Sequence, residues 1–360
     1  MFEGFYANKR VLVTGHTGFK GSWLTAWLSM LNARVVGYAL EPPSEPSLFG
    51  VCGLQGGVID IRGDMRDLPR LISVFREYHP EIVFHLAAQA LVRRSYEEPR
   101  LTYETNVMGT VNLLEAVRAN DSVRAAIIVT SDKCYENYES LRGYRECDPL
   151  GGHDPYSCSK ACAELVSFGW RSAFFAPERY ADHRVGLASA RAGNVIGGGD
   201  WGKDRLVPDC VRALAAGETI MIRSPKAIRP WQHVLEPLSG YLLLGPLLWE
   251  DGPSYGEAWN FGPEEGANWT VEQVVEAVIG KWGGGRYEIL ESGNQPSEHE
   301  RLSLDCTKAK IRLGWRPKYP LERALAETMA WYRPFYSGAS REEMRRLTSM
   351  QIRDYMELRP

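Results

Sequence analysis

An α/β fold with a doubly wound parallel sheet is predicted for this 360-residue chain by three observations. Short β-branched runs alternate with helix-period segments through the first half. Those runs are mostly apolar, as strands covered by helices on both faces are. A glycine-spaced turn joins the first run to the first helical segment.

The elements follow in order. "KRVLVT" reads as the first strand, and "FKGSWLTAWLSMLN" carries apolar residues at helical spacing. "RVVGYAL" and "GGVIDI" read as the second and third strands, "DLPRLISVFREY" as a helix and "EIVFHLAA" as the fourth strand. "EEPRLTYETNVMGTVNLLEAVRA" reads as one long helix, "VRAAIIVT" as a strand and "DPYSCSKACAELVSFGWRSAFF" as another helix. After about Arg191 glycine, proline and tryptophan become frequent, in "RAGNVIGGGDWG", "SPKAIRPWQHV" and "NFGPEEGANW". Residues 1–190 are therefore expected to form a dinucleotide-binding, Rossmann-like domain. Residues 191–360 are expected to form mainly a smaller C-terminal lobe that binds substrate, interleaved with the last strands across a soft boundary. "LSGYLLLGPLLW" is too short to span a bilayer and reads as a buried helix. "REEMRRLTSMQIRDYMELRP" reads as a charged amphipathic helix of unassigned role.

Hydrophobic residues make up 44% and charged residues 24%, with a formal net charge of −3. These values are ordinary for a soluble globular protein and give no reason to expect nucleic acid or a membrane as partner. The seven cysteines, Cys52, Cys134, Cys147, Cys158, Cys162, Cys210 and Cys306, lack paired spacing. That argues against a disulfide framework and for a reducing, cytoplasmic setting. Cys158 and Cys162 lie one helical turn apart but no histidine completes a metal set, so they read as buried thiols and no metal is expected. The N-terminus has no apolar run of a secretory signal.

"TGHTGFKG" places Gly15, Gly18 and Gly21 between strand and helix, with Thr17, Phe19 and Lys20 among them. Glycine there permits a tight turn and close approach of backbone N–H groups to a pyrophosphate, at the positive end of the helix. The turn therefore reads as a dinucleotide site, with a plain structural turn as the alternative. The second strand ends in "GYALEPP", without the acid that usually bonds the ribose, so it does not decide between NAD and NADP.

"YSCSK" sets Tyr156 and Lys160 four apart on one helix face. A lysine ammonium beside a phenol favours the phenolate, lowering the tyrosine pKa from its usual ~10. A nearby nicotinamide cation would lower it further, making Tyr156 a base for a sugar hydroxyl. "TSDKCYEN" sets Thr130, Ser131, Asp132 and Lys133 at the mouth of a buried strand. The cluster is either a solvated turn or a proton-transfer apparatus.

The glycine turn, "HLAA", "NVMGT" and "YSCSK" together resemble the extended short-chain dehydrogenase/reductases, over most of the chain. "GHTGFKGSWL", "TSDKCYEN" and "IRPWQHVLEPLSGYLLL" resemble, within that family, the 4,6-dehydratase branch that acts on CDP-glucose. The resemblance implies NAD as cofactor and CDP-glucose as substrate. The 4-position is oxidised, water is eliminated across C5 and C6, and hydride returns to C6. It implies that Tyr156 deprotonates the 4-hydroxyl, that Lys160 supports it and that Ser131 bonds the same hydroxyl. Asp64 in "GDMRD", followed by Met65, matches the adenine-bonding position; a plain turn residue is the alternative. Leu86, Ala87 and Ala88 would let the cofactor lie against backbone, and Thr130 would line the nicotinamide. Asn106 either contacts the cofactor or braces the central strands, and His85 reads as a core histidine.

Related dehydratases carry Asp-Glu where this chain carries Asp132-Lys133, as the CDP-glucose branch does. Asp132 fits the acid that protonates the 6-hydroxyl. Lys133 is either a neutral base for the C5 proton or a group that holds Asp132. Arg229 matches the phosphate-clamping arginine and Asn194 a substrate-contacting asparagine, with Arg205 and Arg301 as further candidates. Trp201, Trp231 and Trp259 are candidates for base stacking, with core packing favoured for each. The resemblance also implies a homodimer through a helix bundle, for which "NLLEAV" and "AELVSFGW" offer apolar faces that could equally serve the core, and leaves a tetramer open. The competing functions are a nucleotide-sugar C4 epimerase and a non-catalytic dinucleotide sensor.

Overall fold

The computed structural model describes residues 2, 4–140, 142–264, 269–290 and 302–358. Its strands are β1 (Arg10–Thr14), β2 (Arg34–Ala39), β3 (Ile59–Arg62), β4 (Ile82–His85), β5 (Ala125–Val129), β6 (Gly186–Arg191), β7 (Val195–Ile196), β8 (Ile220–Ile222), β9 (Gln232–His233), β10 (Ala258–Asn260) and β11 (Tyr287–Ile289). Seven of them form one sheet in the order β10-β6-β5-β4-β1-β2-β3, and every pairing is parallel. The direction of winding reverses between β1 and β4, and ligands of such sheets sit outside the strand ends at that point. β4 and β5 are buried along their whole length, as the β-branched runs require.

Two apolar layers flank the sheet. One gathers Trp23, Trp27, Phe84, Ile127 and the helix Leu235–Glu250; the other gathers Leu12, Val36, Phe75, Leu113 and Leu114. The second half of the chain supplies β10 to the sheet edge. It also supplies two small parallel pairs, β7 with β9 and β8 with β11. The helix Leu235–Glu250 is apolar all round and buried, with Pro246 inside it. Proline cannot donate to the carbonyl four residues back. That carbonyl, of Leu242, instead accepts the Tyr6 hydroxyl at 2.6 Å.

The long helix expected over Glu97–Ala119 is broken. Val92–Glu97 and Pro99–Tyr103 are separate turns, because Glu98 precedes a proline and is pushed out of the helical region (φ −128°, ψ 60°). Glu104–Met108 is then a π-turn, and Gly109–Arg118 continues as α-helix. The final helix, Arg341–Glu357, starts with a capping box between Ser340 and Glu343. Its inner face packs on the first helix, Phe19–Met30, where the Trp27 and Tyr355 rings meet edge to face at 5.7 Å. Cys158 and Cys162 are half-buried rather than in the core. Among the described residues no helix is long and apolar enough to cross a membrane.

Candidate active site

The glycine turn is fixed by sterics. Gly15 has φ 72°, and a Cβ there would stand 2.7 Å from the Ala87 backbone nitrogen. A Cβ on Gly21 would stand 2.0 Å from the Gly15 carbonyl oxygen. The turn thus presses on the Leu86–Ala87 backbone just beyond β4, and only glycine permits it. Gly18 is the N-cap of the first helix, and no side chain caps that end. Its leading N–H groups remain available to an anion. Thr17 is buried and donates to the Leu40 carbonyl at 3.0 Å, while Phe19 and Lys20 are half-buried. Burial lowers the Lys20 ammonium to about 8, and the charges of Lys160 and Arg205 add to that.

At the other end of the cofactor line, the Asp64 carboxylate is engaged by Arg66, whose Nη2 donates at 2.7 Å. Met65 is buried, and its carbonyl accepts Asn112 Nδ2 at 2.8 Å. Asn106, in the π-turn, bonds Gln89 N at 2.8 Å, Gln89 O at 3.0 Å and Ser159 Oγ at 2.9 Å. It ties the segment after β4 to the Tyr156 helix, not to the central strands. His85 bonds Thr14 Oγ1 at 2.7 Å and Thr110 Oγ1 at 3.3 Å. Burial lowers its pKa to about 3, so it is a neutral, satisfied core histidine.

The chemistry-bearing side chains meet where β5 ends. Ser131 caps a short 3₁₀ turn, Asp132–Cys134, and accepts the Lys133 N–H at 3.2 Å. Its hydroxyl donates to Asp132 Oδ1 at 3.0 Å and lies beside the Tyr156 phenol. Asp132 is 2% exposed, and its Oδ2 has no hydrogen-bond partner among the described residues. Ser131, not Lys133, therefore holds Asp132, while Lys133 is half-buried alongside. Tyr156 and Lys160 lie in the first turns of the helix Pro155–Ala173, capped by Asp154. Lys160 Nζ donates to the Val129 carbonyl at 3.3 Å.

The electrostatics differ from the sequence expectation. Burial pushes Tyr156 up to about 12, against the Ser131 hydrogen bond that favours its ionised form. Burial also pulls Lys160 down to about 8, opposed by Glu164. Among the protein's own groups, desolvation outweighs the phenolate-stabilising effect expected of Lys160.

Arg205 pairs with Asp200 at 2.8 Å, and its charge acts on Tyr156, so it borders the cluster. Asn194 has φ 45°, and its Nδ2 is buried without a partner among the described residues. Arg229 is half-buried with Nη1 donating to the Ile228 carbonyl at 3.0 Å. Arg301 lies outside the described residues. Trp201, Trp231 and Trp259 are all buried in the core. A cavity of about 690 Å³ lies behind the cluster, lined by Glu164, Arg191, Arg145, Glu146, Asp305 and Lys308. Arg145 and Asp305 pair there at 2.7 Å, and it holds none of the Tyr156 cluster.

Three residues escaped the sequence reading. Gly193 leaves room for Asp132: a Cβ there would stand 1.8 Å from Oδ2. Glu164 and Arg191 form a buried ion pair at 2.7 Å behind the cluster. The only sequence signal for Glu164 is its place one turn after Lys160 on the same helix.

Comparison with known proteins places the chain in a family. The chain is 50% identical, over 98% of its length and 98% of the relative's, to a CDP-glucose 4,6-dehydratase of Salmonella typhimurium. A solved dTDP-glucose 4,6-dehydratase double mutant of Streptomyces venezuelae with NAD bound superposes with TM-score 0.76. It is 25% identical and the match covers 90% of this chain and 97% of that one. A UDP-glucose 4-epimerase of Thermus thermophilus in complex with NAD gives TM-score 0.75 at 27% identity, covering 90% and 99%. The family model described as GDP-mannose 4,6 dehydratase matches residues 12–328, and the chain belongs to that family.

Proposed function

We infer that this protein is an NAD-dependent CDP-glucose 4,6-dehydratase, a hydro-lyase that converts CDP-glucose to CDP-4-dehydro-6-deoxyglucose and water. The observation that carries the elimination is Asp132, a buried acid beside Tyr156 with one oxygen unbonded among the described residues. A C4 epimerase has no need of a proton donor for the 6-hydroxyl. The identity to the Salmonella enzyme supports the cytidine-linked substrate.

The glycine cradle, the uncapped helix start and the backbone beyond β4 fit a dinucleotide. NAD, when bound, supplies the hydride acceptor for C4, the donor for C6 and a positive ring near Tyr156. Tyr156 removes the proton of the 4-hydroxyl, held by Ser131, and Lys160 offsets the phenolate charge. The resulting ketone acidifies the C5 proton. Asp132 then protonates the 6-hydroxyl as it leaves, and Lys133 stands beside it for the C5 proton. Arg205, Arg229 and Asn194 are assigned to the sugar nucleotide.

We also assign a homodimer. The apolar residues of "NLLEAV", Leu113, Leu114, Ala116 and Val117, are buried in the core and are not the contact, whereas Met108 in the π-turn Glu104–Met108 and Leu165 and Phe168 on the Pro155–Ala173 helix are exposed and apolar, which supports pairing with a second copy. A cytoplasmic location fits seven free thiols.

The test is mass spectrometry of the protein with NAD and CDP-, UDP-, dTDP- and GDP-glucose. Loss of one water from CDP-glucose alone is the expected result. Loss from another nucleotide would discard the cytidine assignment. A C4 epimer without loss of water would discard the elimination.

A further inference from the structure

One buried carboxylate plays no part in the chemistry above. Glu164 is 2% exposed and sits one helical turn after Lys160. Its Oε1 accepts the Thr130 hydroxyl at 2.5 Å. Its Oε2 accepts Ser189 Oγ at 2.7 Å and Arg191 Nη2 at 2.7 Å. Thr130 closes β5, and Ser189 and Arg191 belong to β6, so a single side chain ties the ends of two adjacent strands.

The tie continues past the catalytic residues. Arg191 Nη1 donates to the Tyr135 hydroxyl at 2.7 Å, and its guanidinium lies 4.9 Å over that ring. The Tyr135 hydroxyl donates in turn to Asn260 Oδ1 at 2.7 Å, on β10. Thr130 immediately precedes Ser131, and Tyr135 immediately follows Cys134. The segment bearing Ser131, Asp132 and Lys133 is thus anchored at both flanks to one carboxylate.

Burial works to raise the Glu164 carboxyl, but the Arg191 guanidinium and the hydrogen bonds overcome it and hold the carboxyl below its usual range. Glu164 therefore stays ionised and keeps accepting from all its donors. A buried ion pair adds little net stability over an apolar replacement of the same shape. Its location directly behind the reacting groups is the informative fact.

We propose that Glu164 is a positioning residue for the dehydration. Acting through Thr130 on one side and Arg191 with Tyr135 on the other, it fixes Ser131 and Asp132 against Tyr156. The proposal rests on the function inferred above. Displacing a catalytic group by about 1 Å costs on the order of 100-fold in rate without changing what the site binds. Losing the anchor should therefore be read in kcat and not in KM.

The test compares wild type with Glu164→Gln, Arg191→Lys and Tyr135→Phe. The readouts are kcat and KM for CDP-glucose, and NAD-binding sites counted by titration. Each variant is expected to lose roughly 10-fold or more in kcat per NAD-binding site, with KM and NAD affinity within about twofold. Unchanged kcat per binding site in Glu164→Gln, even with lower melting temperature, reduces Glu164 to a structural role and overturns the proposal. If Glu164→Gln does not fold, the other two variants decide by the same criterion. A wild-type protein that binds NAD yet dehydrates no nucleotide-glucose overturns the functional reading instead.

Discussion

The cofactor turn and the segment after β5 lie at the same, carboxyl end of the sheet strands, yet they are built by different means. The turn is held by backbone: Gly15 and Gly21 pack so closely that any side chain would overlap Ala87 or Gly15 itself. The segment after β5 is held by side chains, from Ser131 on Asp132 to Glu164 on Thr130 and Arg191 on Tyr135. A backbone site fails all at once when its geometry is filled. A side-chain site fails in steps, because binding and proton transfer depend on different groups.

Gly21→Val tests the backbone half and carries the largest expected effect. The added carbons meet the Gly15 carbonyl, so NAD binding should vanish and turnover with it, as isothermal titration and the water-loss assay would record. Measurable NAD affinity in this variant would mean that the turn can relax, and the contrast would collapse.

Gly193→Ala probes the side-chain half through a steric change of similar size. The methyl would displace Asp132 while leaving the cofactor turn untouched. We expect a fall in kcat of roughly 100-fold with NAD affinity kept. Parallel loss of both would show the two halves to be one unit.

The smallest effect is expected from pH. Lys160, lowered to about 8 by burial, is charged below that value and neutral above it. The cation that supports the Tyr156 phenolate is then lost as pH rises through about 8, and kcat/KM should decline by up to about tenfold per unit beyond it. Lys160→Arg keeps its charge throughout. Whatever its absolute rate, its profile should lack that limb; a limb that persists would assign the titration to another group.

Much of this molecule was legible in its residues. The strand runs, the glycine turn, the Tyr156–Lys160 spacing and the Ser131–Lys133 cluster all describe contacts within a few residues, and local rules govern those. The long helix was misjudged at Glu98, although the following proline gave the sign. Burial works against the lowering of the Tyr156 pKa expected from Lys160, because burial is a property of the assembled core and the Tyr156–Lys160 spacing is local.

By itself the sequence determined a parallel doubly wound sheet and a dinucleotide turn and marked the candidate proton-transfer groups, since periodicity, glycine geometry and short spacings are all encoded along the chain. Only the tertiary structure decided that Gly193 makes room for Asp132, and that Glu164 reaches across two strands to Thr130 and Arg191. Those contacts join residues dozens of positions apart. Their energies exist only once the sheet has brought the strand ends within hydrogen-bond reach of one helix.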